Sequence, residues 1–227
     1  MRIIDLSQEI YNGMPQRFFA GPVPSVFDSS TRSTSGYQAV DDCCILQNHL
    51  GTHVDAPRHY NPETGLAIHQ IPLEHLVTHA VVLDLRHKSA RSEITVTDLE
   101  QAMTSANENV GPTEGVLLHV GVGKKYRTWT NEQWSESEYG QAPYLGEEGV
   151  QWLLGKQISI LGIDAIAPDA PGDRPAHRIL LREHNIPIIE NLCNLEKLSR
   201  PRVLLVALPP KVVGASGFPV RAVAIEE

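Results

Sequence analysis

The chain has 227 residues, 41% hydrophobic and 20% charged, enough for one large core or two small ones. A net charge of −8 without any basic run argues against a nucleic-acid or anionic-membrane surface, and no apolar stretch of about eighteen residues exists to span a bilayer. Cys43, Cys44 and Cys193 suit neither a disulfide framework nor a zinc ribbon. The opening MRIIDLSQEI has one basic residue and no long apolar run. A signal peptide is therefore not expected, and the cytoplasm is the expected compartment.

No repeat or low-complexity linker interrupts the sequence, so residues 1–227 read as a single domain. In chain order, Arg2–Leu6 predicts a first strand. Asn12–Tyr37, rich in Pro, Gly, Ser and Thr, predicts an ordered but irregular loop of the kind that lines sites. Cys43–Leu46 predicts a strand with one cysteine packed inward. Ile68–Ala80, with His69, His75 and His79, reads as loop and surface helix. Ala80–Leu85 and Val116–Val120 predict strands, separated by a helix that opens on a capping box at Thr97-Asp98-Leu99-Glu100. Lys124–Tyr144 is polar, carries five aromatics and reads as a second loop. Thereafter helix 147–154, strand Ile158–Ile163, helix 175–184 and strand Ile186–Ile189 alternate. Val203–Leu208 and Val220–Ile225 predict the last strands. Several strands are apolar at nearly every position, as in central strands covered on both faces.

Chemistry concentrates in Asn48–Tyr60, which holds His49, His53, Asp55 and His59. Their offsets from His49 are four, six and ten, all even, so on a strand they share one face. A straight strand cannot gather them. Four extended residues span roughly 13 Å, whereas donors on one ion lie about 3 Å apart. The chain must bend between His49 and His53, and Gly51 permits it. Imidazole with carboxylate suits zinc, with manganese or iron as alternatives. An aspartate orienting a catalytic histidine without metal is the other reading, but no G-x-S-x-G nucleophile is present. Gly121-Val122-Gly123 lacks the remaining features of a phosphate loop. Asp164 and Asp169 flank Pro168 and read as turn-formers, with Asp169 also placed to hold a neighbouring ligand.

The pattern His49-Leu50-Gly51-Thr52-His53-Val54-Asp55-Ala56-Pro57-Arg58-His59 resembles the signature of the metal-dependent cyclase-like hydrolase family. That family includes bacterial kynurenine formamidases and isatin hydrolases. The resemblance continues through Ile4-Asp5-Leu6-Ser7, Leu161–Asp164, His177–Leu181, Ile189-Glu190-Asn191-Leu192, Ala207-Leu208-Pro209 and Pro219–Val223. It implies an α/β fold, a mixed β-sheet core flanked by helices and swivelling β/β/α-like. It further implies that His49 and His53 bind one ion and that Asp55 bridges two. His177 and Glu190 complete a second position, and His59 is the proton shuttle. Read without the family, Glu190 is a solvated strand-end acid and His177 a surface histidine on its helix. The formamidases have one residue fewer between those two positions, which places the extra residue in the Arg182–Asn185 turn. They also carry a tryptophan in the loop after the first strand. Here the stretch Met14–Pro22 has Phe18 and Phe19 instead, which argues against kynurenine as the substrate.

The implied activity is hydrolysis of an amide, formamide or lactam of a small aryl or cyclic substrate. It would use one or two divalent ions, zinc foremost and manganese second. Activated water attacks the carbonyl, and His59 passes a proton to the leaving nitrogen. Phe18, Phe19, Phe27 and Tyr37 would form an apolar wall. A homodimer or larger assembly is expected, with part of 12–37 near the neighbouring copy. The alternatives are a polyketide-type cyclase or lyase using the same residues, and a binding protein that keeps the metal for structure.

Overall fold

The computed structural model describes residues 1–11, 14, 26–34, 36–123 and 141–226. In chain order the strands are β1 (Arg2–Asp5), β2 (Val26–Thr34), β3 (Tyr37–Ile45), β4 (His53–Asp55), β5 (Val77–Asp84), β6 (Glu93–Ile94) and β7 (Gly115–His119). They continue with β8 (Tyr144–Leu145), β9 (Ile160–Ile163), β10 (Ile188–Glu190), β11 (Arg202–Val206), β12 (Gly217–Pro219) and β13 (Val223–Glu226). The helices are α1 (Leu73–Leu76), α2 (Val96–Ala106) and α3 (Glu147–Gly155), followed by a π-helical segment, His177–Glu183.

Nine strands form one mixed sheet in the order β1-β13-β11-β5-β7-β9-β10-β4-β12. Strands β5, β7, β9 and β10 run parallel at its centre. Their apolar runs have the physical cause expected of them, since both faces are covered. Val81, Leu83, Val116, Leu118, Leu161 and Ile163 pack under α2, α3 and the π-helical segment. Ala80, Val82, Leu117, Ile160 and Ile189 face the other way. Ile4 of β1 and Val54 of β4 belong to that second core although seven places separate their strands in the sheet, so the sheet curls on itself.

Several expectations are corrected. The capping residue of α2 is Thr95, not Thr97. Its Oγ accepts the Asp98 N–H at 3.3 Å while the Asp98 carboxylate accepts the Thr95 N–H at 2.8 Å. Thr97 lies inside the helix. The region 12–37 contains a regular strand, since β2 pairs with β3 from Val26↔Ile45 to Thr34↔Tyr37. Cys43 and Cys44 are both exposed on that hairpin, so neither packs inward. His79 stands on β5 opposite Leu204 rather than in a loop or helix. The helix carrying His177 is wound as a π-helix, with the His184 N–H reaching the Ile179 carbonyl five residues back. His177 is buried in it together with Ile179, Leu180 and Leu181, so it is not a surface histidine.

Candidate metal centre

The site forms where β4 lies between β10 and β12. Antiparallel register places Glu190 opposite His53 and Ile188 opposite Asp55. His53 and Asp55, two apart on β4, therefore share a face with Glu190 directly across the strand. His49 reaches them because the chain turns at Gly51, whose φ is +57°. The expected bend is thus present. On the other side Gly217 pairs with Asp55, and a Cβ there would lie 2.7 Å from His49 Cε1. The missing side chain at 217 is what admits the His49 ring. Pro57 and the short 3₁₀ turn Pro57–His59 carry His59 back over the cluster, with its ring centroid 4.1 Å from that of His49.

Asp55 is the hub. Its Oδ1 lies 2.5 Å from His49 Nδ1 and 3.1 Å from His53 Nε2, and its Oδ2 lies 3.4 Å from His177 Nε2. Glu190 spans the same gap, with Oε2 3.5 Å from His53 Nε2 and Oε1 3.4 Å from His177 Nε2. Two carboxylates at most 5% exposed thus stand among three imidazoles. The donor atoms of His53, Asp55 and Glu190 all lie within 4.8 Å of one another, and so do those of His49, Asp55 and His59. The geometry therefore also groups His59 with the donors. His69, His75 and His79 belong to neither group.

Each imidazole is held from behind. His53 Nδ1 donates to the Gly51 carbonyl at 2.9 Å, and Asn191 Nδ2 donates to the same oxygen at 3.0 Å. His49 Nε2 meets the Ser216 hydroxyl at 3.2 Å, itself held by Asn48 at 2.7 Å. His177 Nδ1 donates to Asp169. These anchors direct His49 Nδ1, His53 Nε2 and His177 Nε2 towards the carboxylates. Ser216 and Gly217 carried no sequence signal, and Asn191 entered only as part of the Ile189–Leu192 resemblance. Their importance comes from which strand lies beside β4, and no local spacing reveals that.

The electrostatics favour a bound cation. Burial pulls the His53 imidazole down, but Asp55 and Glu190 outweigh it and push it up to about 9. Burial likewise opposes, and Asp169, Asp55 and Glu190 overcome it to lift His177 to about 10. Burial raises Asp55, yet His49, His53 and His177 hold it well below the usual carboxylate range. His53 Nε2 is buried and makes no hydrogen bond, although it faces both acids. A divalent ion fits this donor set: imidazole nitrogen, carboxylate oxygen, and a ring nitrogen without a hydrogen bond aimed between the two acids. His59 behaves differently. Burial, opposed by Asp55 and reinforced by the other histidines, draws it down to about 4, so it is neutral at neutral pH.

The family model "Putative cyclase" matches residues 4–170. The chain belongs to the cyclase family. Among its relatives it is 29% identical to kynurenine formamidase of Erythrobacter litoralis, over 98% of this chain and 93% of that protein. It is 31% identical to cyclase-like protein 2 of Oryza sativa subsp. japonica, over 99% of this chain and 79% of that one. The solved structure of isatin hydrolase A from Ralstonia solanacearum superposes with a TM-score of 0.80 at 24% identity, covering 99% and 92% of the two chains. Cyclase-family structures share the large curled mixed sheet described above. Phe18 and Phe19 lie outside the described residues, as does the side chain of Phe27, while Tyr37 is 79% exposed.

Proposed function

We propose that this cyclase-family chain is a metal-dependent hydrolase that cleaves an amide, formamide or lactam bond of a small aryl or cyclic substrate. Along almost its full length it is similar to kynurenine formamidase, an amide-cleaving hydrolase. The observation that carries the reading is Asp55, whose two oxygens face different imidazoles, His49 and His53 on one side and His177 on the other. That arrangement supports two adjacent ion positions, the first held by His49, His53 and Asp55, the second by Asp55, His177 and Glu190. Zinc is the proposed ion and manganese the alternative.

Such an ion supplies a water of lowered pKa and polarises a carbonyl. The protein's own residues do the rest. Asp55 and Glu190 hold the donors at fixed separation, and the Gly51 carbonyl and Asp169 keep two rings turned inward. Three donors at the first position leave room for water, as catalytic sites require. His59, neutral and beside His49, is placed to take a proton and return it to the leaving nitrogen. Phe18 and Phe19 remain the proposed apolar contacts for the substrate. We further propose a homodimer or larger assembly. Every residue of β3 is exposed, on both faces of a two-stranded hairpin, and such a hairpin is only marginally stable without a partner. The cytoplasm remains the proposed compartment. Among the described residues no helix is long and apolar enough to cross a membrane.

Metal analysis of the purified protein, run beside rates on N-formylkynurenine, isatin and formanilides, tests the reading. Bound divalent metal with turnover of at least one of these is the expected result. A metal-free protein, or a metal-replete one inert on all three, would overturn it.

A further inference from the structure

We propose that Asp169 is a positioning residue that fixes the tautomer of His177 and so makes it a metal donor. The inference rests on the metal reading above and concerns its second ion position. Asp169 follows β9 and is 5% exposed. Its Oδ1 accepts the Ala176 N–H at 2.6 Å, and its Oδ2 accepts the His177 N–H at 3.2 Å. The same Oδ2 accepts Nδ1–H of the His177 ring. Three donors thus converge on one buried carboxylate at the start of the π-helical segment. Backbone N–H groups there have no partner within the helix, so the acid both caps the segment and holds the ring.

A proton kept on Nδ1 makes Nε2 the nitrogen that can give up its proton to an incoming ion. That atom lies 3.4 Å from Asp55 Oδ2 and 3.4 Å from Glu190 Oε1. The other two rings are held by neutral partners, the Gly51 carbonyl and the Ser216 hydroxyl. Only His177 has a carboxylate behind it among the three, which also strengthens it as a donor.

Asparagine at 169 separates this role from simple capping. Its one oxygen can still accept the Ala176 N–H, but its NH₂ then faces both the His177 N–H, which loses its acceptor, and His177 Nδ1. An amide nitrogen cannot accept a hydrogen bond. The ring must accept instead, which moves its proton to Nε2, the atom that should bind the ion. Alanine removes the cap but leaves the ring free to choose either tautomer.

The test is equilibrium dialysis of Zn²⁺ and Mn²⁺ into metal-stripped protein, with thermal unfolding of the same metal-stripped samples. Asp169→Asn is expected to weaken retention of an ion by about 10–100-fold, the usual effect of losing a partner behind a ligand. Asp169→Ala should weaken it less, yet unfold at the lower temperature because it loses the cap. This reversal of order is one that a merely structural role would not produce. Unchanged retention in Asp169→Asn, or the same ranking in both measurements, overturns the inference while leaving the metal reading intact. If Asp169→Asn fails to fold, Asp169→Ala must still bind more weakly than the unaltered protein, and equal binding overturns the proposal. Unaltered protein that retains no ion overturns the metal reading and this inference with it.

Discussion

His53→Ala is expected to remove both metal and hydrolysis, because it deletes the buried nitrogen that faces both acids. Bound metal and rate measured on one preparation check this, and full stoichiometry with full turnover would overturn the assignment of the 49–59 segment. His59→Asn is expected to keep its metal and lose roughly 10²–10⁴ in turnover, the usual share of a proton-transfer group. A metal-free His59→Asn would make His59 a ligand, as its grouping with His49 and Asp55 permits. A metal-replete, fully active variant would leave it no chemical role. The residues of this segment were legible in sequence because the chain itself brings them together, through a glycine bend and a short strand. His177 and Glu190 were legible only through family resemblance. Each lies far along the chain from His53, and a histidine on an apolar helix looks the same whether it faces solvent or buried acids.

At the scale of elements, α2 shows how a local signal can be right in kind and wrong in place. Both Thr95 and Thr97 precede acids at workable spacing, but only Thr95 has Asp98 at the third helical position. Burial raises the Asp98 carboxyl, but hydrogen bonds from Lys88 and Thr95 outweigh it and hold the group well below the usual range. Asp98→Ala is expected to destabilise the protein by about 0.5–2 kcal/mol at neutral pH, the range for a lost cap. A depressed folded-state pKa gives stability that is present above the unfolded value near pH 4 and is lost as pH falls through the lower folded value. The gap between unaltered and variant protein in urea unfolding should therefore narrow as the pH drops below about 4. A gap that widens with acid would contradict this. The central parallel strands were legible because burial on both faces leaves nearly continuous Val, Ile and Leu. The π-helical winding of His177–Glu183 and the β2–β3 hairpin were not. A π-turn differs from an α-turn by less than one residue per turn, and a strand sequence as rich in Ser and Thr as β2 has the composition of a loop.

For the whole molecule, the exposed strand β3 leads to a test of assembly. Light scattering at micromolar concentration is expected to give at least twice the 25.0 kDa chain mass. Replacing the exposed Val40 and Ile45 of β3 by glutamate should lower that mass towards a single chain, since charge in an apolar interface is costly to desolvate. A monomer in the unaltered protein would overturn the assembly. By itself the sequence determined the fold class, through hydrophobic period, and the family, through the resemblance carried by the His49–His59 pattern, because both are read from neighbours in the chain. Only the tertiary structure decided how the centre is completed. It set Glu190 opposite His53 across the β4–β10 register, cleared space for His49 at Gly217, and turned His177 inward on Asp169. Those contacts join residues from β4, β10, β12 and the π-helical segment, and their proximity follows from sheet order and packing, which no short stretch of sequence encodes.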